Sequence, residues 1–179
     1  MLGPSTHFPY WEKLQFLAFQ ALLLRVQRCR KHLPFCRFES MNLDPIDELE
    51  RIGHMVCLAS YTGLLREFML RSSRDFKFLP VEATEWLSVA MAYADGDTDA
   101  AELESARIAA WQSVAGRDWD TSQPEVAAVR AVICAMFPEF GEDPFETISW
   151  FIDFSNRHED HAKTQAHLLS ELFSPHFGG

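Results

Sequence analysis

Two histidines and two acids stand together near the end of the chain, in the tetrapeptide His158-Glu159-Asp160-His161. Imidazole and carboxylate groups are common zinc ligands, and residues three apart on a helix share one face. His54 or His167 would supply a third ligand in a bundle. Helical zinc motifs usually space their histidines four apart, as in H-E-x-x-H, so this tetrapeptide is one residue short. A metal-dependent helical-bundle enzyme is therefore kept only as an alternative, and we predict no cofactor.

Motifs for other catalytic chemistry are missing from the sequence. There is no G-x-S-x-G nucleophile elbow and no Gly-rich phosphate loop. The four cysteines lack the close pairing of a zinc site, which predicts free thiols. The segment 95–99, DGDTD, resembles the start of a calcium loop, but the terminal glutamate of such a loop does not follow in register. We therefore predict that the protein is not an enzyme.

Negative charge is concentrated in two stretches of a chain whose net charge is −10. Seven acids and no Lys or Arg lie between Glu82 and Glu104, and seven acids with Arg157 as the sole Lys or Arg lie between Glu139 and Asp160. Such a surface either keeps a protein soluble or attracts a basic partner. We predict that the partner-binding residues lie here: Asp95, Asp97, Asp99, Glu102, Asp153, Arg157, His158, Glu159 and Asp160.

Composition excludes several classes of protein. A chain of 179 residues with 47% hydrophobic residues is predicted to form a single domain, 1–179, with an internal linker at 71–80. The acidic balance argues against nucleic-acid binding. The most apolar segment, 14–24, is 11 residues long and too short to cross a bilayer. Because no secretory signal is recognisable either, we expect a cytoplasmic protein without a membrane partner.

The elements that must position these residues are all predicted to be helices. The first runs over 9–33 and is apolar nearly all round, so a homodimer through this helix is possible. The second runs over 44–71 and opens with Asp44 as cap and a proline in its first turn. Gly53 and Gly63 inside it are expected to let another helix approach closely.

A helical hairpin is predicted over 84–119, in the middle of the chain. Thr84 is the expected N-cap of its first helix, and Gly96 the left-handed residue that ends it. Thr98 is expected to cap the second helix, and Gly116 to close it. Trp111, in the second helix, is expected to be a core residue.

Two further helices complete the predicted fold. The fifth begins near Pro124 and is short and mostly buried. The last runs over 143–173, opening with Asp143 as cap, and Trp150 is expected in the core. Its polar middle, SNRHEDH, is either a break or the exposed centre of one long helix. We favour one continuous helix, because the interruption contains no Gly or Pro.

One segment of the hairpin resembles a known group of sequences. Residues 93–111, YADGDTDAAELESARIAAW, are similar to a recurrent segment of helical bacterial proteins of unassigned biochemical role, in which a Y-A-x-G turn precedes E-L-x-x-A-R-x-A-A-W. Residues 165–173, QAHLLSELF, resemble the terminal helix of the same group. The resemblance implies caps and packing and no catalytic residue.

These observations together predict an all-α, single-domain bundle of about six helices with a central helical hairpin. The function expected of it is protein binding: a bacterial immunity protein or antitoxin whose acidic surface occludes the active site of a toxin with a basic surface. A regulatory adaptor or scaffold would share the same sequence features, and partner identity distinguishes it from an inhibitor.

Overall fold

The computed structural model describes residues 44–117, 120–141 and 143–177, which belong to one compact unit. Every regular element in this part of the chain is a helix, which confirms the predicted all-α bundle. The predicted first helix at 9–33 lies outside the described residues. None of the described helices is long and apolar enough to span a membrane. The seven α-helices are α1 (Pro45–Met55), α2 (Thr62–Ser73), α3 (Val81–Asp95), α4 (Ala100–Ser113), α5 (Pro124–Ala135), α6 (Pro144–Ser155) and α7 (Ala162–Phe173).

Helices α2 and α5 form the centre of the unit. α2 packs against α3, α5, α6 and α7, and α5 packs against α2, α3, α4 and α6. From Val126 to Met136 every residue is buried except Arg130, which is half-buried. This confirms the prediction of a short, mostly buried helix, since a helix covered on all sides needs no polar face. The last helix, α7, packs mainly against α1 and α2 rather than against the hairpin.

The predicted hairpin is present as α3 and α4. Gly96 ends α3 in the left-handed conformation, with φ 81°, as expected. α3 begins at Val81, however, so Thr84 lies within its first turn and donates its hydroxyl proton to the Val81 carbonyl instead of capping the helix. Trp111 is partly buried against the core.

The N-cap of α4 is Asp99 and not Thr98. The Asp99 Oδ1 atom accepts hydrogen bonds from the backbone N–H groups of Ala101 (2.9 Å) and Glu102 (3.0 Å). A carboxylate at this position satisfies two otherwise unpaired donors and lies at the positive end of the helix dipole. The Thr98 hydroxyl hydrogen-bonds to the Glu102 side chain. α4 ends at Ser113, three residues before Gly116.

The predicted second helix is divided into two. Asp44 caps α1 as expected, accepting from Ile46 N at 2.8 Å. α1 then ends at Met55, the next residue, Val56, has an extended backbone, and a 3₁₀ turn at Leu58–Tyr61 leads into α2. Neither glycine admits a neighbouring helix: a Cβ added at Gly53 would meet only the Leu58 side chain, and one added at Gly63 would meet nothing within 4 Å. Because α2 continues to Ser73, the linker is shorter than predicted.

The predicted continuous helix over 143–173 is wrong. Asp143 does cap α6, but α6 ends at Ser155 and α7 begins at Ala162. The break occurs at Asn156, whose Nδ2 donates to Ile152 O at 2.9 Å and whose Oδ1 accepts from His161 N at 2.9 Å. An asparagine side chain that bonds the local backbone competes with the helical pattern, so a helix can break without Gly or Pro.

Candidate functional site

The structure separates the predicted partner-binding residues into two sets at opposite ends of the hairpin. The first set lies at the turn between α3 and α4. The second lies at the α6–α7 turn, where Glu159 Oε1 accepts from Lys77 N (2.9 Å) and His158 Nε2 donates to Thr121 O (2.8 Å). Lys77 precedes α3 and Thr121 follows α4, so these contacts mark the open end of the hairpin. The 15 residues of α3 put roughly 22 Å between the two ends.

A second segment joins the first set at the closed end of the hairpin. Arg66 donates to the carbonyls of Phe137 and Pro138 at 2.8 Å each, and its guanidinium lies 5.1 Å from the ring centroids of both Tyr93 and Phe140. These contacts hold the α5–α6 connection against the last turn of α3. That connection carries an exposed glutamate. We call the resulting surface the acidic end, formed by the exposed residues Asp95, Asp97, Asp99, Glu102 and Glu139.

Two arginines contact the same connection but are engaged in internal interactions. Burial lowers the pKa of Arg66, whose guanidinium is held between two rings. Arg107 forms a two-point pair with Glu104, at 2.8 and 2.6 Å, and lies 4.8 Å from the Phe137 ring centroid. The hydrogen bonds from Arg107 lower the pKa of Glu104. Arg66 therefore contacts backbone carbonyls and aromatic rings, and Arg107 pairs with Glu104. Neither guanidinium forms an ion pair with a described carboxylate of the acidic end.

The carboxylates of the acidic end differ in how they are held. Asp99 caps α4 and so has a fixed position. Glu102 receives a hydrogen bond from Thr98. In the described part of the chain, Asp95 and Asp97 have no side-chain hydrogen bond or ion pair, and both are exposed. The turn between them is fixed by Gly96, so their negative charge is presented to solvent from an ordered backbone.

The second set is built into the fold. Glu159 Oε2 lies 2.7 Å from His161 Nε2, and the two side chains are only 10% and 17% exposed. Arg157 pairs with Asp153 four residues before it, and both side chains are exposed. Asp160 is exposed. His158 and Glu159 thus contact the segments that flank the hairpin, and Asp153 and Arg157 pair with each other. The predicted part of these residues in partner binding stays a prediction.

The alternative metal site used His158, His161 and His54. His158 and His161 do not share a helix face, because they lie in the irregular α6–α7 connection. Their rings contact Thr121 O and Glu159, respectively, and His54 is exposed at the end of α1. Among the residues that the structure describes, no group of three or more His, Cys, Asp or Glu side chains is arranged to hold a metal ion. The metal-dependent enzyme stays a prediction.

Two surface features were missed from sequence. Trp150 is 40% exposed, stacked on Phe154 at 5.6 Å, so its expected place in the core is wrong. A cavity of about 210 Å³ opens where the starts of α3 and α5 meet the end of α4. Its walls come from three helices, so no local pattern could reveal it. Its lining includes Trp86, Val126, Val129, Glu82, Glu125 and Arg117.

A scan of the chain against protein-family models finds no match, and searches of curated proteins and of solved structures find no significant match. The similarity of residues 93–111 to helical bacterial proteins therefore stays a resemblance carried by the motif alone.

Proposed function

We propose that this protein binds another protein through its acidic end. The observation that carries the proposal is a pair of exposed carboxylates, Asp95 and Asp97, that have no partner among the residues that the structure describes. They lie in a stretch from Glu82 to Glu104 that contains no Lys or Arg. A concentrated field of one sign accelerates encounter with a partner of the opposite sign and disfavours acidic competitors. The expected partner is therefore a protein with a basic surface.

Within this class, the proposed function is inhibition, as by a bacterial immunity protein or antitoxin. Enzymes that act on nucleic acids or nucleotides must attract anionic substrates, so their clefts are commonly basic. An acidic end on a packed helical hairpin would compete with such a substrate for the same cleft. Because the backbone at Gly96 and the cap at Asp99 are already ordered, little conformational freedom would be lost on binding.

The first test is capture of the partner from native cells by the tagged full-length protein. Capture is done at low salt and again at about 0.5 M salt. At the higher concentration, interactions between exposed charges farther apart than roughly 4–5 Å are largely screened. We expect one stoichiometric basic protein, captured less well at high salt. The captured protein is then expressed alone and together with this chain. An inhibitor restores growth that its partner arrests, whereas a partner with no effect on growth contradicts the inhibitor assignment.

The second test asks whether the acidic end makes the contact. The double variant Asp95→Asn/Asp97→Asn is compared with Asp47→Asn/Asp75→Asn, which makes the same change in net charge at exposed sites on α1 and in the segment before α3. We expect the first to slow association with the purified partner on the order of tenfold at low salt, and the second to change it little. Equal effects of the two variants would contradict a role for the acidic end.

A further inference from the structure

We propose that the cavity at the open end of the hairpin receives an arginine side chain of the protein partner. This inference rests on the proposed function, because it supplies a second anchor for a basic protein, at the end of the hairpin opposite the acidic end. It concerns a different set of residues: Glu82 and Trp86 from α3, Val126 and Glu125 from α5, and the end of α4.

The cavity combines an aromatic and aliphatic wall with carboxylates. Trp86 is half-buried, and Val126 and Val129 are buried, so the wall offers apolar surface to the methylene groups of a long side chain. Glu82 and Glu125 also line it, and both are exposed. A guanidinium group stacks on indole rings and pairs with carboxylates, and is the cation that does both best.

The charge balance of the cavity favours a cation. Arg117 also lines it, but its guanidinium donates to Ser113 O at 3.2 Å and to Gln123 Oε1 at 3.3 Å. Glu82 and Glu125 have no side-chain hydrogen bond or ion pair with any residue that the structure describes. Two carboxylates and one guanidinium leave the cavity with a net negative charge. A bound arginine side chain would neutralise that charge.

Size and surroundings favour a side chain of a protein over a free small molecule. The volume of about 210 Å³ is below the roughly 300 Å³ at which drug-sized ligand pockets begin. Val81 lies between Pro80 and Glu82, both of which line the cavity, and is 78% exposed. Phe78, in the segment leading to it, is 40% exposed. Because protein interfaces are enriched in aromatic side chains and arginine, these exposed apolar residues favour a protein partner.

The test uses N-acetyl-arginine amide as the probe and the indole N–H resonance of Trp86 as the readout, in the full-length protein labelled with ¹⁵N. The variant Trp86→Phe assigns that resonance. We expect a saturable shift with a dissociation constant on the order of millimolar, as befits a single side chain. The citrulline analogue has the same shape without the charge, and should bind at least about fivefold more weakly.

Matched variants separate the effect of the cavity carboxylates on probe binding from the effect of the protein's net charge. Glu82→Gln/Glu125→Gln should weaken the arginine probe to the level of the citrulline probe. Glu85→Gln/Glu146→Gln makes the same change in net charge at exposed acids outside the cavity, and should leave the titration unchanged.

Three outcomes would overturn the inference: no shift of the Trp86 resonance, equal binding of the arginine and citrulline probes, or equal effects of the two double variants. None of them bears on the acidic end, whose test is association of the Asp95→Asn/Asp97→Asn variant with the captured partner. Conversely, a partner that binds independently of Asp95 and Asp97 would contradict the acidic end while leaving the probe titration intact.

Discussion

Two connections in this protein are rich in acids, and the fold uses them in opposite ways. At the α3–α4 turn, the carboxylates of Asp95 and Asp97 have no partner among the described residues. At the α6–α7 turn, Glu159 lies between Lys77 N and the His161 ring and is 10% exposed. The difference shows that the number of acids in a turn does not indicate its role. The partners of each carboxylate do.

The two turns also differ in what holds their backbone. The α3–α4 turn depends on one residue with positive φ, Gly96, and on one cap, Asp99. The α6–α7 turn depends on side chains that reach across it: Asn156 Nδ2 donates to Gln165 Oε1 at 2.6 Å, and Gln165 Nε2 donates to Ser155 Oγ at 2.8 Å. Local interactions suffice for the first turn, whereas the second needs a partner from the next helix.

The largest expected effect is the loss of that network. Asn156→Ala removes the hydrogen bonds to Ile152 O, Gln165 Oε1 and His161 N. The Oε1 atom of Gln165, a residue only 1% exposed, then loses the donor that Asn156 supplied. We expect the free energy of unfolding to fall by about 2–4 kcal/mol. Denaturant unfolding measures it. Asp160→Ala, an exposed residue of the same turn, should change it by less than about 0.5 kcal/mol, and equal effects would mean that the network contributes nothing.

A smaller change in stability is expected from altering the backbone of the α3–α4 turn. Its control is a glycine substitution that should change stability in the opposite direction. Gly96→Ala places a Cβ at φ 81° with nothing within 4 Å, so its cost of about 1 kcal/mol is purely conformational. Gly63→Ala lies in helix α2, also with nothing within 4 Å, and should stabilise by about 0.5 kcal/mol. Thermal unfolding of both variants measures the pair. Two shifts of the same sign would contradict the left-handed assignment at Gly96.

Asp99 allows capping to be separated from charge. Asp99→Ala removes the acceptor for Ala101 N and Glu102 N, and should cost about 1 kcal/mol of stability. Asp99→Asn keeps an acceptor at the cap and should cost only a few tenths of that. Both remove the same charge, so both should slow association with the partner equally. If binding instead follows stability across the two variants, Asp99 acts through the cap and not through its charge.

The smallest effect concerns the pair that lies beside the acidic end. The hydrogen bonds from Arg107 lower the pKa of Glu104 in the folded state, so the stabilisation is present above the ordinary glutamate pKa and is lost as the pH falls through the folded-state pKa. We expect the melting temperature of Glu104→Gln to be slightly below that of the unsubstituted protein at pH 7. The difference between the two melting temperatures should narrow towards pH 3. Glu85→Gln on the exposed face of α3 is the control. A difference that does not depend on pH would contradict the ion pair.

Sequence reasoning succeeded where the deciding interaction is local. Asp44 and Asp143 were identified as caps because each is followed by a proline at the first helical position, and both accept the expected backbone hydrogen bond. Gly96 was identified because few residues other than Gly tolerate positive φ. The error at Thr98 is instructive: both Thr98 and Asp99 are good caps, and pattern alone does not choose between neighbours.

The candidate sites were only partly predictable. The acids of the α3–α4 turn were identified correctly as exposed, because a polar turn between two amphipathic helices has nowhere to be buried. The contribution of Glu139 was not foreseen, since it depends on Arg66 holding the α5–α6 connection against Tyr93. The cavity around Trp86 was not foreseen either, because residues about 40 positions apart, such as Glu82 and Glu125, meet there.

The sequence by itself determined the helical class of the described unit, the hairpin, the glycine that turns it and the caps at Asp44 and Asp143, because caps, positive φ and apolar periodicity act over a few residues. Only the tertiary structure decided which acids remain free. The Glu159 carboxylate accepts from a backbone N–H 82 positions away, whereas the Asp97 carboxylate meets no partner in the described chain. Whether a carboxylate is neutralised depends on which distant donors the packing of helices brings to it, and no local pattern contains that information.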